Sequence, residues 1–422
     1  MTPPATTRVA TTRPASARAG AATLALGNTH PALRRCWHPV ARSAEVTDRP
    51  ARTMLLGEPW VLVRIGPGGE VRAFLDRCPH RQAPLSLGCC APSAPSAPAA
   101  PGAPSAGPPR PTAAPAAGPP GLHLQCAYHG WRFDEAGRCV EIPALGPRAT
   151  IPPKARLTAA HGVAERHGMV FLAPDAPLAP LGAVPEADDP AFMAGDLPVL
   201  GARASAGYLA DNFLDMAHFP YVHAATFGAQ DPVVPPFSVE RRGWSYTAVN
   251  EHEFLHREDP GVAAGLRPLV QRRRVTYRVV APFHLVLRLD FLDAGGTNVI
   301  GFFLQPQSED RCRIYSTIWR DDLGHDAARM ARAVAFEIAV IEEDLALQES
   351  YDVHALPLDA TAEVHTRADR STLELRRMLA DLVAAATAPA GPARQPTPDA
   401  PAGGAPPPGP PAPAAAAPVT HG

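Results

Sequence analysis

Two short stretches each set a thiol beside an imidazole: Cys78-Pro-His80 and Cys126-Ala-Tyr-His129. Thiolates and imidazoles are the ligands that soft and borderline metals take, and finding one of each in both halves narrows the choice. Ferredoxin-type clusters use four thiolates, whereas a two-iron cluster with two imidazoles on one iron needs this mixed set. Cys78 and Cys126 would then bind one iron, and His80 and His129 the other. A tetrahedral zinc site also accepts two cysteines and two histidines. Zinc fingers, however, group like ligands as Cys-x-x-Cys and His-x-x-x-His, and here the types alternate.

A second constellation follows in Asp211-Asn-Phe-Leu-Asp215-Met-Ala-His218-Phe-Pro-Tyr-Val-His223. A helical i, i+3 relation would put Asp215 and His218 on one face, with Pro220 disrupting the helix so that His223 can turn back. Two histidines and a carboxylate make the facial triad of non-haem Fe(II) centres, which leaves positions open for oxygen. The carboxylate is sought in Ala335-Phe-Glu-Ile-Ala-Val-Ile-Glu-Glu-Asp344-Leu-Ala-Leu-Gln-Glu-Ser350, a stretch without Gly or Pro. Ile338, Ile341, Leu345 and Gln348 recur at helical spacing, which predicts a half-buried helix able to aim an acid inward. Glu342, Glu343 and Asp344 share the chemistry, and an exposed acidic helix face is the alternative. Spacing does not choose among them.

The stretches Cys78-Pro-His80-Arg-Gln-Ala-Pro-Leu-Ser-Leu-Gly88 and Cys126-Ala-Tyr-His129-Gly-Trp-Arg-Phe-Asp134 closely resemble the two cluster-binding loops of the Rieske oxygenases, over most of residues 35 to 385. The resemblance implies a Rieske [2Fe-2S] cluster on Cys78, His80, Cys126 and His129, and a mononuclear Fe(II) on His218, His223 and Asp344. Asp344 is singled out because Glu343-Asp344 with Glu349 looks like the family's late helix, where the Asp of the pair is the third ligand. By the same resemblance Asp215 hydrogen-bonds His218 and, across a subunit interface, a cluster histidine corresponding to His129. Asn212 matches a position close to the iron. Head-to-tail rings, usually homotrimers, are implied as well.

The stretch Trp37-His-Pro-Val-Ala-Arg-Ser, with the surroundings of His218 and His223, looks most like the branch containing vanillate O-demethylases. The expected activity is hydroxylation or O- or N-demethylation of an aromatic or alicyclic small molecule with O2. Oxidative tailoring of a natural product, by C–H hydroxylation or cyclisation, is the alternative chemistry. An electron-transfer protein without oxygenase chemistry is the alternative class. Neither a Gly-x-Gly-x-x-Gly loop nor a Cys-x-x-x-x-Cys-x-x-Cys run occurs, so electrons are expected from a separate NAD(P)H-dependent reductase. Arg272, Arg273 and Arg274 fall on both faces of a strand, so one of them could hold a substrate carboxylate; a solvated strand end is the plainer role.

These residues need scaffolds to position them. The chain has 422 residues and a formal charge of −2, with no sign of a nucleic-acid or anionic-membrane partner. Seven cysteines lack disulfide-framework spacing and suit a reducing, cytoplasmic setting. Cys36, Cys139 and Cys312 read as packed. Residues 1–30, acid-free and rich in Ala, Thr, Pro and Arg, read as a disordered tail or a transit peptide, and 386–422 as a second disordered tail. An Ala/Pro-rich segment at 89–120 reads as a disordered excursion from a hairpin tip, tolerable because loop-closure entropy grows only logarithmically. No apolar stretch is long enough to cross a bilayer, so a soluble protein is expected.

Between the tails the fold class is α+β. Residues 31–178 form a small antiparallel β cluster domain, built on strands such as Trp60–Arg64, Val71–Leu75 and a closing Gly168–Ala173. Residues 179–385 form the catalytic domain. There Val275–Val280, His284–Phe291, Val299–Leu304 and Arg313–Trp319 make a curved antiparallel sheet, closed by the Asp344 helix in a helix-grip-like arrangement.

Overall fold

Alternation of side chains between two faces, as along His284–Phe291, governs the largest sheet of the computed structural model. The structure describes residues 24–65, 69–92, 122–147, 149–227, 231–257 and 259–388. Seven strands of this sheet lie in the order Met193–Asp196, Arg311–Arg320, Thr297–Ser308, His284–Phe291, Val270–Val280, Ser245–Leu255 and Ser238–Arg242, all antiparallel. An eighth, Leu200–Ala202, also pairs with Arg311–Arg320.

Side chains of opposite parity pack against different layers. Leu285, Leu287, Ile300, Phe302, Ile314 and Ile318 share a core with Leu209 and Leu214 of the helix Ala206–Leu214 and with Leu375, Leu379 and Leu382 of the helix Arg370–Thr387. Val286, Val299, Phe303, Tyr315 and Trp319 face the other way, onto Met169 and Phe171. Covered on both sides, the central strand Thr297–Ser308 is buried along nearly its whole length, as a sandwiched layer requires.

Three small antiparallel sheets make up the part that carries the cluster motifs, and the motifs themselves lie in loops of the first two. Ala51–Leu55, Glu58–Arg64 and Val71–Leu75 form one; Cys89–Pro92, Leu122–Gln125, Arg132–Phe133 and Cys139–Glu141 the second; Gly162–Arg166, Met169–Ala173 and His38–Arg42 the third. A core shared by the first two joins Val61, Val63, Phe74, Leu124 and Phe133 to Cys78 and Cys126. Polar joints tie this part to the large sheet. Arg42 donates to the carboxylate of Asp196 at 2.9 Å, the hydroxyl of Thr317 at 3.0 Å and the carbonyls of Leu197 and Ser316 at 2.9 and 2.6 Å. His284 Nε2 donates to the Trp37 carbonyl at 2.9 Å. The helix expected around Asp344 spans Ala327–Gln348 and starts on an Asp326 cap that accepts from the amides of Ala328 and Arg329.

The segments read as disordered at 1–30, 89–120 and 386–422 begin or end elsewhere where they are described. Ala25–Gly27 is a strand paired with Ala355–Pro357, with Leu26 buried. The Asn28 amide donates to the carbonyls of Ala204 and Arg311 and accepts from the Ala206 amide. Averaging composition over thirty residues hid one apolar side chain and one amide able to satisfy three backbone groups. Cys89–Pro92 pairs with Leu122–Gln125, so these residues are the root of the hairpin and not part of an excursion. The last helix runs to Thr387. The rest of the three segments, residues 1–23, 93–120 and 389–422, lies outside the described residues. Cys36, Cys139 and Cys312 are buried, as expected. No helix among the described residues is long and apolar enough to cross a membrane.

Candidate metal centres

The cluster loops turn where backbone geometry demands it. In the first, the buried Asp76 carboxylate accepts from the Ser86 amide at 2.7 Å and hydroxyl at 2.6 Å, and the Cys78 amide donates to the Ala83 carbonyl at 2.8 Å. Gly88 ends this loop because a Cβ there would sit 2.0 Å from the Gln125 carbonyl oxygen. In the second, the Cys126 amide donates to the Trp131 carbonyl at 2.9 Å, and Gly130 takes the left-handed φ of +69° that closes the turn.

The donors pair by type. Cys78 and Cys126 are 1% and 2% exposed and hydrogen-bond each other, and the amides of His80 and Arg81 point at the Cys78 sulfur. Burial, together with the Cys126 thiol, pushes the Cys78 thiol up to about 11, so a metal must displace its proton. The His80 and His129 rings lie 4.5 Å apart at the exposed end, with His80 stacked on Trp131 at 4.6 Å. These four donors do not converge on one point: the three-donor group within 4.8 Å among the described residues is a different one. Two thiols together and two imidazoles together fit a two-metal cluster and not a single tetrahedral ion.

The converging group is His218, His223 and Asp344. The two Nε2 atoms lie 3.1 Å apart, and Asp344 Oδ1 is 3.4 Å from the first and 3.3 Å from the second. The far nitrogen of each ring is held by another carboxylate: His218 Nδ1 by Asp215 Oδ2 at 3.2 Å, His223 Nδ1 by Glu343 Oε2 at 2.8 Å. Each Nδ1–H is therefore donated outward, and both Nε2 lone pairs face Asp344 Oδ1, which is sealed from solvent with no hydrogen-bond partner. Three lone pairs with no proton between them repel one another, and a divalent cation is what such a donor set suits. Burial would raise the Asp215 carboxyl, but its bonds from His218 and the Ala217 amide hold it below the usual range. Glu343 is likewise held low, by Thr226 and His223 against its desolvation. Burial lowers His223, and the neighbouring carboxylates of Asp344 and Glu343 more than reverse this.

The local route to this geometry differs from the expected helical face. The helix Ala206–Leu214 stops before Asp215, which is extended at φ −89° and ψ 131°, and Asp215 Oδ1 accepts from the Ala217 amide at 2.8 Å. That side-chain turn delivers His218 to the start of a short helix, Phe219–Val222. Pro220 sits in its first turn, where a missing N–H costs nothing, so it begins a helix and does not break one. Asn212, in the last turn of the preceding helix, accepts from Gln348 Nε2 at 3.2 Å and so ties that helix to the one bearing Asp344.

In the sequence Glu343 stands only as a rival ligand to Asp344. Neighbours on a helix point about 100° apart, so when Asp344 faces the metal side, Glu343 reaches the outer side of the His223 ring. Its other oxygen accepts from the Thr226 hydroxyl at 2.5 Å. Two adjacent acids on one helix were the available signal. Glu342 is exposed.

Two family models match the chain: the Rieske [2Fe-2S] domain over residues 36–94 and 112–153, and the vanillate O-demethylase oxygenase C-terminal domain over 202–385. Methylxanthine N3-demethylase NdmB of Pseudomonas putida is 26% identical over 357 residues, 82% of this chain and 88% of that protein. The oxygenase component of dicamba O-demethylase from Stenotrophomonas maltophilia is 31% identical over 207 residues, 46% of this chain and 48% of that protein. Among solved structures, dicamba monooxygenase bound to 3,6-dichlorosalicylic acid superposes with a TM-score of 0.67 at 20% identity, covering 85% of this chain and 99% of that one. Pseudomonas putida NdmB superposes with a TM-score of 0.64 at 24% identity, covering 82% and 90%. At these identities the superpositions establish a shared fold.

Proposed function

Since this chain belongs to the Rieske non-haem iron oxygenases as an oxygenase component, we propose that Cys78, His80, Cys126 and His129 hold its cluster and that His218, His223 and Asp344 hold its iron. Bound there, the cluster supplies single electrons and the iron supplies the place where dioxygen is activated against a C–H bond. The chain's own groups fix the geometry. Asp215 and Glu343 orient the two imidazoles and keep their Nε2 atoms unprotonated, and the buried Asp344 oxygen completes one face. Phe213 of the helix Ala206–Leu214 stacks on Phe302 of the large sheet at 4.6 Å and meets Tyr277 of the same sheet edge-on at 6.0 Å, an aromatic wall suited to a flat substrate.

The overall reaction is monooxygenation: substrate, O2, two electrons and two protons give hydroxylated substrate and water. Where the attacked carbon is an O- or N-methyl group, the hydroxymethyl product collapses to formaldehyde and the demethylated compound. The N- and O-demethylases among its relatives favour that outcome. Electrons are supplied by a separate NAD(P)H-dependent reductase. The exposed His80 and His129 suit handover between subunits of a homotrimer, and the free cysteines suit a reducing cytoplasm. The observation that carries the reading is the convergence of His218, His223 and Asp344, which a pure electron carrier has no use for.

The test is oxygen uptake with a surrogate reductase across methoxylated aromatics, N-methyl heterocycles and steroids, with formaldehyde measured alongside. Coupled O2 consumption and formaldehyde release is expected for at least one class. A reduced Rieske signal with no oxygen consumption on any of them would favour the electron carrier.

A further inference from the structure

Of three successive arginines on the strand Val270–Val280, the middle one is placed differently. Arg272 pairs with Asp293 at 2.9 Å and Arg274 with Glu251 at 2.7 Å, both at the surface. Arg273 alternates to the other face, in line with the buried Val275 and Tyr277, and no carboxylate among the described residues pairs with it. Its Nε–H donates to His252 Nε2 at 3.0 Å, and its guanidinium carbon lies 4.7 Å from the centre of the Phe254 ring. His252 donates Nδ1–H to Asn250 Oδ1 at 2.8 Å, which fixes the neutral tautomer with Nε2 as an acceptor. Burial keeps that imidazole neutral by pulling it down to about 4, while Arg273, pulled down by burial to about 10, stays charged at neutral pH.

The two terminal NH2 groups of Arg273 are left without a partner among the described residues. A half-buried cation without a counter-ion is costly, and this one is held in place by a neutral ring and an aromatic face, neither of which cancels its charge. Its free edge is the fork that meets a carboxylate through two parallel hydrogen bonds.

The same face leads to the metal donors. Asn250 Nδ2 contacts Met216 Sδ at 3.4 Å, and Met216 stands between Asp215 and His218. Tyr277, four residues along from Arg273, is 1% exposed, and its hydroxyl has no hydrogen-bond partner. A buried hydroxyl without a partner is uncommon, and together with a cation lacking a counter-ion it points to a missing anion.

We propose that Arg273, seated on His252, anchors the acid group of an anionic aromatic substrate, with the Tyr277 hydroxyl as a second polar contact and the oxidisable carbon directed to His218, His223 and Asp344. This deepens the oxygenase reading and rests on it only for the chemistry at the far end of the ligand.

Equilibrium binding separates the two. Monomethoxybenzoates and dimethoxybenzoates, each paired with its neutral benzamide, are titrated calorimetrically into the holoenzyme and into Arg273→Met and Arg273→Lys. At least one acid is expected to bind about 10- to 100-fold tighter than its amide, the difference a charge-assisted bond confers. Arg273→Met should erase that preference and Arg273→Lys should keep part of it. Acids binding no better than amides to the native protein, or a preference that survives Arg273→Met, overturns the assignment. The first outcome is read on the native protein, so it does not depend on the variants folding. Failure of oxygen uptake would instead count against the oxygenase reading and would leave the binding ratio legible.

Discussion

An imidazole that binds metal through Nε2 needs its Nδ1–H held, and here two unlike carboxylates do so: Asp215 after a helix end and Glu343 within a helix. The adjacent acids Glu343 and Asp344 therefore have separate jobs, and substitution should separate them. Asp344→Ala removes the oxygen that both Nε2 atoms face, so iron should fall from roughly three atoms per chain to roughly two, with the cluster's visible and paramagnetic spectra unchanged. Glu343→Gln keeps an acceptor of the same size but loses the charge, so iron should be retained yet leave about 10- to 100-fold more readily to a chelator. Metal analysis before and after dialysis reads both. Equal iron loss in the two variants would make Glu343 a ligand and end the division of labour.

At the scale of elements, the joint between the third small sheet and the large sheet depends on neutral histidines. His284 donates Nε2–H to the Trp37 carbonyl and accepts the Gly182 amide at Nδ1, at 2.9 and 3.3 Å, so a second ring proton would meet a donor. Burial pulls His284 from 6.5 down to about 3 and His38 from 6.5 down to about 4. Folded-state values depressed in this way mean that the stabilisation is fully present above about pH 6.5 and is lost as pH falls toward 4, because the unfolded chain takes up protons that the folded one refuses. The melting temperature should therefore drop between pH 7 and pH 5. In His284→Gln, which has one fewer such group, the drop should be smaller even though the variant is less stable at pH 7. An unchanged slope would show that the joint does not govern acid sensitivity.

For the whole molecule, with the cluster held as proposed, the exposure of His80 and His129 against the burial of Cys78 and Cys126 would direct electrons outward through the imidazoles. If that exit feeds the iron of a neighbouring subunit, two inactive variants should rescue each other. Cys126→Ser, lacking the cluster, and Asp344→Ala, lacking the iron, should each be inactive alone. When co-expressed they should form mixed rings that recover a measurable part of native turnover. No recovery in mixed rings of verified composition would confine electron transfer to a single chain.

Much of the site was legible from residue types alone. Cys78, His80, Cys126 and His129 lie in two short loops, and metal-ligand chemistry admits few combinations of thiol and imidazole. His218 and His223 are five residues apart, close enough for one turn to bring them together. The large strands were legible for a similar reason, because period-2 alternation is local. Distance along the chain hid the rest. Glu343 meets His223 across 120 residues and Arg273 meets His252 across 21, and only the packing of a helix on a sheet decides which side of each ring or strand faces inward. Local composition also misjudged Ala25–Gly27 and Cys89–Pro92, whose strands exist because partners far along the chain pair with them. The sequence by itself determined which metals the chain can hold, because ligand chemistry belongs to side chains. Spacing left the third carboxylate open and only the family resemblance singled out Asp344; tertiary structure alone decided which carboxylates orient the imidazoles and which cation is left without a partner, because those outcomes depend on direction and burial.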